Sequence, residues 1–162
     1  MLGVPVTAFL LALGIGIVLP QAHTATVSAR LAAPPDSVWA AMTAVEAFPR
    51  WRPGVDTVQR LPDRDGLPVW RETGTHGSMT LAVIAWEPPR RLVTRIADED
   101  LPYGGTWTYE LVPDGAGTRV TLTEDGEIYN PAFRFMARFV FGYEGTMRTY
   151  LGGLMEKFAP RG

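Results

Sequence analysis

The chain has 162 residues, 46% of them hydrophobic, which is enough for one domain with a proper apolar core. A net charge of −2 gives no positive field to attract nucleic acid, and its fourteen Arg and one Lys are scattered. With no Cys, the chain has neither a disulfide framework nor a thiolate nucleophile.

Residues 1–29 contain no Lys, Arg, Asp or Glu, and Leu2–Leu19 is almost wholly apolar. As a helix that run would extend roughly 27 Å, close to the roughly 30 Å hydrocarbon core of a bilayer. A cleaved signal peptide and an uncleaved membrane anchor are both open. A signal would want a basic n-region and a small-residue cleavage site, and Ala22-His23-Thr24 and Thr24-Ala25-Thr26 are poor ones. The anchor is therefore the expected form. It assigns residues 1–20 to the membrane segment, 21–24 to a linker and 25–162 to one domain outside the cytoplasm. Ala8, Ala12 and Gly16, four apart, form a small-residue line along this helix.

Ala25–Ala33 alternates loosely, as a first strand would. Pro34-Pro35-Asp36-Ser37 is a helix start, followed by a short helix over Val38–Ala44 that carries Trp39 and Met42. Phe48-Pro49 and Trp51-Arg52-Pro53 end it after a second short turn. Strands follow at Val55–Leu61, Pro68–Thr75, Met79–Trp86, Leu92–Ala97, Thr106–Val112 and Thr118–Ile128. In the last pair Trp107, Tyr109 and Leu111 share a face, as do Val120 and Leu122, the period-2 pattern of a half-buried sheet. Asp114-Gly115-Ala116-Gly117 supplies their turn. Asn130 then caps one long amphipathic helix, with Pro131 at its first position, that runs to about Phe158. Gly142, Gly145, Gly152 and Gly153 each cost roughly 1 kcal/mol against Ala inside a helix, so they point to a kink or a close approach. The order is that of an α+β domain.

That order resembles the START-type helix-grip superfamily (SRPBCC, or polyketide-cyclase-like) over Thr24–Phe158. The matching words are Pro34-Pro35-Asp36-Ser37-Val38-Trp39, Phe48-Pro49-Arg50-Trp51-Arg52-Pro53, Trp86-Glu87-Pro88-Pro89-Arg90-Arg91-Leu92 and Leu101-Pro102-Tyr103-Gly104-Gly105-Thr106-Trp107. Thr123–Pro131 resembles a bacterial branch whose members often carry an N-terminal membrane helix. The resemblance implies a curved antiparallel sheet wrapped around a long C-terminal helix, with two short helices after the first strand. It also implies binding of lipids, sterols, polyketides or hormones, and in a minority of members cyclisation or dehydration.

No nucleophile elbow, phosphate loop or metal motif is present, and nothing in the sequence asks for a cofactor. Asp98-Glu99-Asp100 reads as a solvated face. His23 sits beside the apolar segment. Glu72 and His76, near Trp70, are the candidates for acid–base work if they share a concave face; otherwise Glu72 pairs with an Arg and His76 is a turn residue. Trp70, Trp86, Trp107, Tyr109, Phe133, Met136, Val140, Tyr143, Met147 and Leu151 are the expected lining of a cavity between sheet and helix, or else a filled core. Phe135 and Phe139 form a second apolar line. Glu124, Asp125 and Glu127 are expected to hold the strand–helix junction. Three functions stay open: a membrane-tethered carrier of a hydrophobic small molecule or lipid, a cyclase or dehydratase, and a protein-interaction module.

Overall fold

A computed structural model describes residues 3–160 other than position 76. After helix α1 (Gly3–Val18) come β1 (Ala22–Leu31), α2 (Pro35–Thr43) and a 3-10 turn over Val45–Arg50. Six strands follow: β2 (Val55–Arg64), β3 (Leu67–Gly74), β4 (Gly77–Glu87), β5 (Arg91–Ile96), β6 (Tyr103–Asp114) and β7 (Gly117–Ile128). The chain closes with α3 (Pro131–Met136), a π-helical turn over Ala137–Phe141, and α4 (Gly145–Lys157).

All seven strands form one antiparallel sheet in the order β1-β7-β6-β5-β4-β3-β2, so β1 crosses to pair with the last strand and the rest form a meander. Two-residue turns set the register. At β2–β3 Asp65 and Gly66 both take positive φ, and at β6–β7 Gly115 does so, the backbone that matches the twist of paired strands. One face is apolar. Val27, Leu31, Leu92, Tyr109, Leu111, Val120 and Leu122 point to the helices and are buried with Val38 and Met42 of α2 and Met147, Leu151 and Leu154 of α4. The other face of the β1–β7 pair is a hydroxyl ladder open to solvent, with Thr26 facing Thr123 and Ser28 facing Thr121 at 3.0 Å. This is the curved sheet and C-terminal helix of the helix grip.

Three differences from the sequence reading have physical causes. The expected single helix from Asn130 to Phe158 is two helices. Asn130 does cap the first, its side chain accepting from the Ala132 and Phe133 amides at 2.9 and 3.3 Å. At Gly142, however, φ is +72°, a left-handed conformation that ends the π turn, and Tyr143 and Glu144 are non-helical. Second, strand pairing begins at Ala22, so Ala22–Thr24 pair with β7 where a linker was expected. Third, α1 spans sixteen residues and packs beside α3. A Cβ on Gly16 would stand 2.0 Å from the Pro131 carbonyl oxygen, so Gly16 of the small-residue line is what lets the two backbones meet. Arg134 donates to the Leu19 carbonyl at 2.8 Å and fastens the end of α1 to α3. No helix among the described residues is long and apolar enough to cross a membrane.

Candidate ligand-binding site

Alternation along β3 points Trp70 and Glu72 into the grip, where both are buried. The loop after the 3-10 turn brings Arg52 to them. The Arg52 guanidinium donates to Glu72 Oε1, and Trp70 Nε1 donates to the same oxygen at 2.9 Å. Arg52 also lies over two rings, 5.3 Å from the centroid of Phe48 and 5.1 Å from that of Tyr150. A buried carboxylate is tolerated here because a guanidinium and an indole N–H replace its water.

Tyr150 of α4 is the hub of the interior. Its ring lies 5.5 Å from Trp51, 5.5 Å from Tyr109 and 6.0 Å from Trp107, centroid to centroid. Burial raises the Tyr109 phenol to about 12; Arg52 and a hydrogen bond with Thr94 pull the other way, while Glu72 and Glu124 add to the rise. Tyr150 is pushed well above its ordinary value, again chiefly by burial. The rings are therefore neutral phenols, suited to donating hydrogen bonds to an oxygen in an apolar surround. Trp51 Nε1 is buried without an acceptor among the described residues.

A second polar group sits where β1, β7 and the helix break meet. Glu124 faces inward, accepting from Trp107 Nε1 at 2.5 Å and lying 2.8 Å from His23 Nε2. The His23 ring fits the space that a side chain on Gly126 would fill, since a Cβ there would stand 2.4 Å from the imidazole. Tyr143, in the break, stacks on the other side of that ring at 4.0 Å. The expected junction role of these carboxylates is not what they do. Glu124 binds Trp107 and His23, Asp125 accepts from Thr24, and Glu127 accepts from Tyr129, while Asn130 alone caps the helix.

Of the residues expected to line a cavity, Trp70, Trp107, Tyr109, Met147 and Leu151 meet in the grip. Tyr143 lies at its mouth. Trp86 is at the far end of the sheet, edge-on to Trp39 at 5.2 Å, and is partly exposed. Phe133 and Val140 are exposed on α3 and the π turn, away from the interior, and Met136 is half-buried there. His76 lies outside the described residues. A groove of about 1090 Å³ runs over the outer face of the sheet, lined by Thr24, Arg95, Thr106 and Asp125 among others. It contains none of the residues expected to bind ligand, and its charges are solvated. Among the described residues, no three His, Cys, Asp or Glu are grouped as a metal site would need.

Arg52, Tyr150, His23 and Glu124 were not singled out for this site by sequence. Tyr150 falls beside, not on, the apolar stripe. His23 precedes the alternation by which the first strand was recognised. Only parity could have found Glu124, two residues beyond the inward-facing Leu122.

The sheet, the gripping helix and an aromatic interior with few polar groups define a helix-grip fold. The chain belongs to the family described as polyketide cyclase / dehydrase and lipid transport, whose model matches residues 22–159. Among solved structures it is similar to the Zhui aromatase/cyclase from Streptomyces sp. R1128, with 16% identity, 84% of this chain and 93% of that one covered, and a TM-score of 0.70. A norcoclaurine synthase point mutant from Thalictrum flavum is similar at 11% identity, with 87% and 96% covered and a TM-score of 0.67. A START superfamily protein from Mycobacterium smegmatis is similar at 19% identity, with 83% and 98% covered and a TM-score of 0.64. At these identities the likeness is one of fold. No curated protein matches the chain.

Proposed function

We propose that this protein binds one hydrophobic small molecule, a lipid or a ring-bearing metabolite with an oxygen function, in the grip between sheet and α4. The observation that carries this is the cage of Phe48, Trp51, Trp107, Tyr109 and Tyr150 around the buried Arg52–Glu72 pair. Aromatic walls supply affinity through area, at about 25 cal/mol per Å² of apolar surface removed from water, while a few polar groups fix orientation. The unmatched Trp51 N–H gives a ligand oxygen a partner, since a buried donor left alone costs about 1–3 kcal/mol. The rings touch one another, so a ligand enters by displacing Tyr150, and the non-helical Gly142–Glu144 is the place where α4 can shift. Residues 2–19, free of charge, hold the protein at a membrane.

A catalytic reading has one observation in its favour, the His23–Glu124 pair at the mouth of an apolar interior, an imidazole oriented by a carboxylate. Glu72 serves it less well, because Arg52 and Trp70 already occupy its inner oxygen.

Native mass spectrometry of the full chain, followed by solvent extraction, tests the proposal. A stoichiometric apolar molecule whose retention falls in Tyr150→Ala and Trp107→Ala is the expected result. A bare mass that stays unchanged after incubation with host lipid extract would sink it. Chemical conversion of the bound molecule, lost in His23→Ala, would move the assignment to the catalytic reading.

A further inference from the structure

Ten large apolar side chains are exposed on two neighbouring segments. Leu10, Leu11, Ile15, Ile17 and Val18 lie on α1; Tyr129, Phe133, Phe139, Val140 and Phe141 lie on α3, its flank and the π turn. The two segments are one surface, because Gly16 meets Pro131 and Arg134 holds the Leu19 carbonyl. Phe139 is 59% exposed and Phe141 71%, the two most exposed aromatic rings among those of the described residues that face solvent. Charge is distributed with the same division. None of the chain's 17 acidic residues falls before Asp36 or between Ile128 and Tyr143, whereas the second segment carries the exposed Arg138, Arg134 being buried against the end of α1. Apolar rings with an exposed arginine suit an anionic lipid surface, where rings enter the acyl boundary and guanidinium meets phosphate, and the carboxylate at the edge of the patch, Glu127, is taken by the Tyr129 hydroxyl. A soluble protein partner would more often meet mixed charge at the rim.

We infer that the Phe133–Phe141 segment is a second membrane-contacting element, which docks α3 and the π turn on the anionic leaflet beside α1. The inference rests on the proposed membrane association of residues 2–19 and not on the presence of a ligand. Docking there brings Gly142 and the Tyr143–His23 stack to the lipid surface. A hydrophobic molecule then passes between bilayer and grip without crossing water.

The chain has no Cys, so a single one can be labelled cleanly. Full-length Phe141→Cys carrying an environment-sensitive NBD label is mixed with vesicles of phosphatidylcholine and phosphatidylglycerol, alongside Thr57→Cys on exposed β2 as control. The expected result is co-flotation, a blue-shifted emission at position 141 quenched by brominated lipid but not by iodide, and an iodide-quenched label at 57. Adding Arg138→Glu should cut the lipid quenching several-fold. Flotation with an iodide-accessible label at 141 overturns this inference and leaves the anchor standing. Failure to float overturns both. A blue shift without vesicles that grows with protein concentration assigns the face to a second copy and overturns it too. Ligand retention is read separately by mass, so neither result depends on the other.

Discussion

His23 lies flat against Tyr143, with ring centroids 4.0 Å apart and planes 18° from parallel. The contact joins the start of β1 to the break between the two C-terminal helices. Glu124 fixes the imidazole from one side, and the absent side chain of Gly126 makes room for it. The stack is therefore the fastening of the one stretch of the grip that is not helical.

Tyr143→Ala should release that fastening without unfolding the domain. A stacked aromatic pair contributes about 0.5–1.5 kcal/mol beyond area, so amide exchange at residues 141–144 should quicken about fivefold. Exchange in β6 and β7 should not change. Mass-spectrometric hydrogen exchange reads both, and equal protection at 141–144 in the two proteins would show the stack to be incidental.

The Arg52–Glu72 pair should behave as a unit. Arg52→Met leaves a buried carboxylate without its cation and should cost about 3 kcal/mol or more. Adding Glu72→Leu should recover most of that loss, because the double variant buries no charge. Urea denaturation of the four proteins measures the coupling. Additive losses would mean that the two side chains are solvated separately.

Alkali should unfold the protein in a window set by its buried phenols. Tyr109, raised to about 12, and Tyr150, held well above its ordinary value by burial, are neutral in the fold, while an unfolded tyrosine ionises near 10. A raised folded value contributes stability that is whole below pH about 10 and is lost as pH climbs through about 12. Tyr109→Phe removes one of these groups, so its stability should decline less steeply across that window, by on the order of 2 kcal/mol. Thermal melts at stepped pH, with phenolate absorbance recorded alongside, make the comparison.

Three glycines of the C-terminal region should respond to Ala in three ways. Gly142→Ala puts a Cβ at φ +72° and should cost about 1 kcal/mol. Gly153→Ala should cost more, because its Cβ would stand 2.6 Å from the Trp51 carbonyl oxygen. Gly152 has open space at that position and ordinary helical backbone, so Gly152→Ala should stabilise by up to about 1 kcal/mol. Denaturation midpoints rank them.

Periodicity carried much of this protein. The alternation in Thr106–Val112 and Thr118–Ile128, the turn at Gly115 and the Asn130-Pro131 helix start are local signals, each set by backbone sterics or by an orphan amide within a few residues. The inward face of β6 follows from the same alternation, so Trp107 and Tyr109 were legible as interior residues. The helical stripe from Phe133 to Phe158 was misleading beyond its own reach. A repeat of three and four cannot register a left-handed Gly142, and the phase it implied placed Phe133 and Val140 inside when α3 and the π turn direct them outward. What only tertiary structure decided is which distant groups meet. Arg52 reaches Glu72 because a loop ends beside β3, and His23 reaches Glu124 because β1 crosses the sheet to pair with β7. Such pairings depend on chain crossings and close approaches, which follow from the packing of the whole core and leave no mark in local spacing.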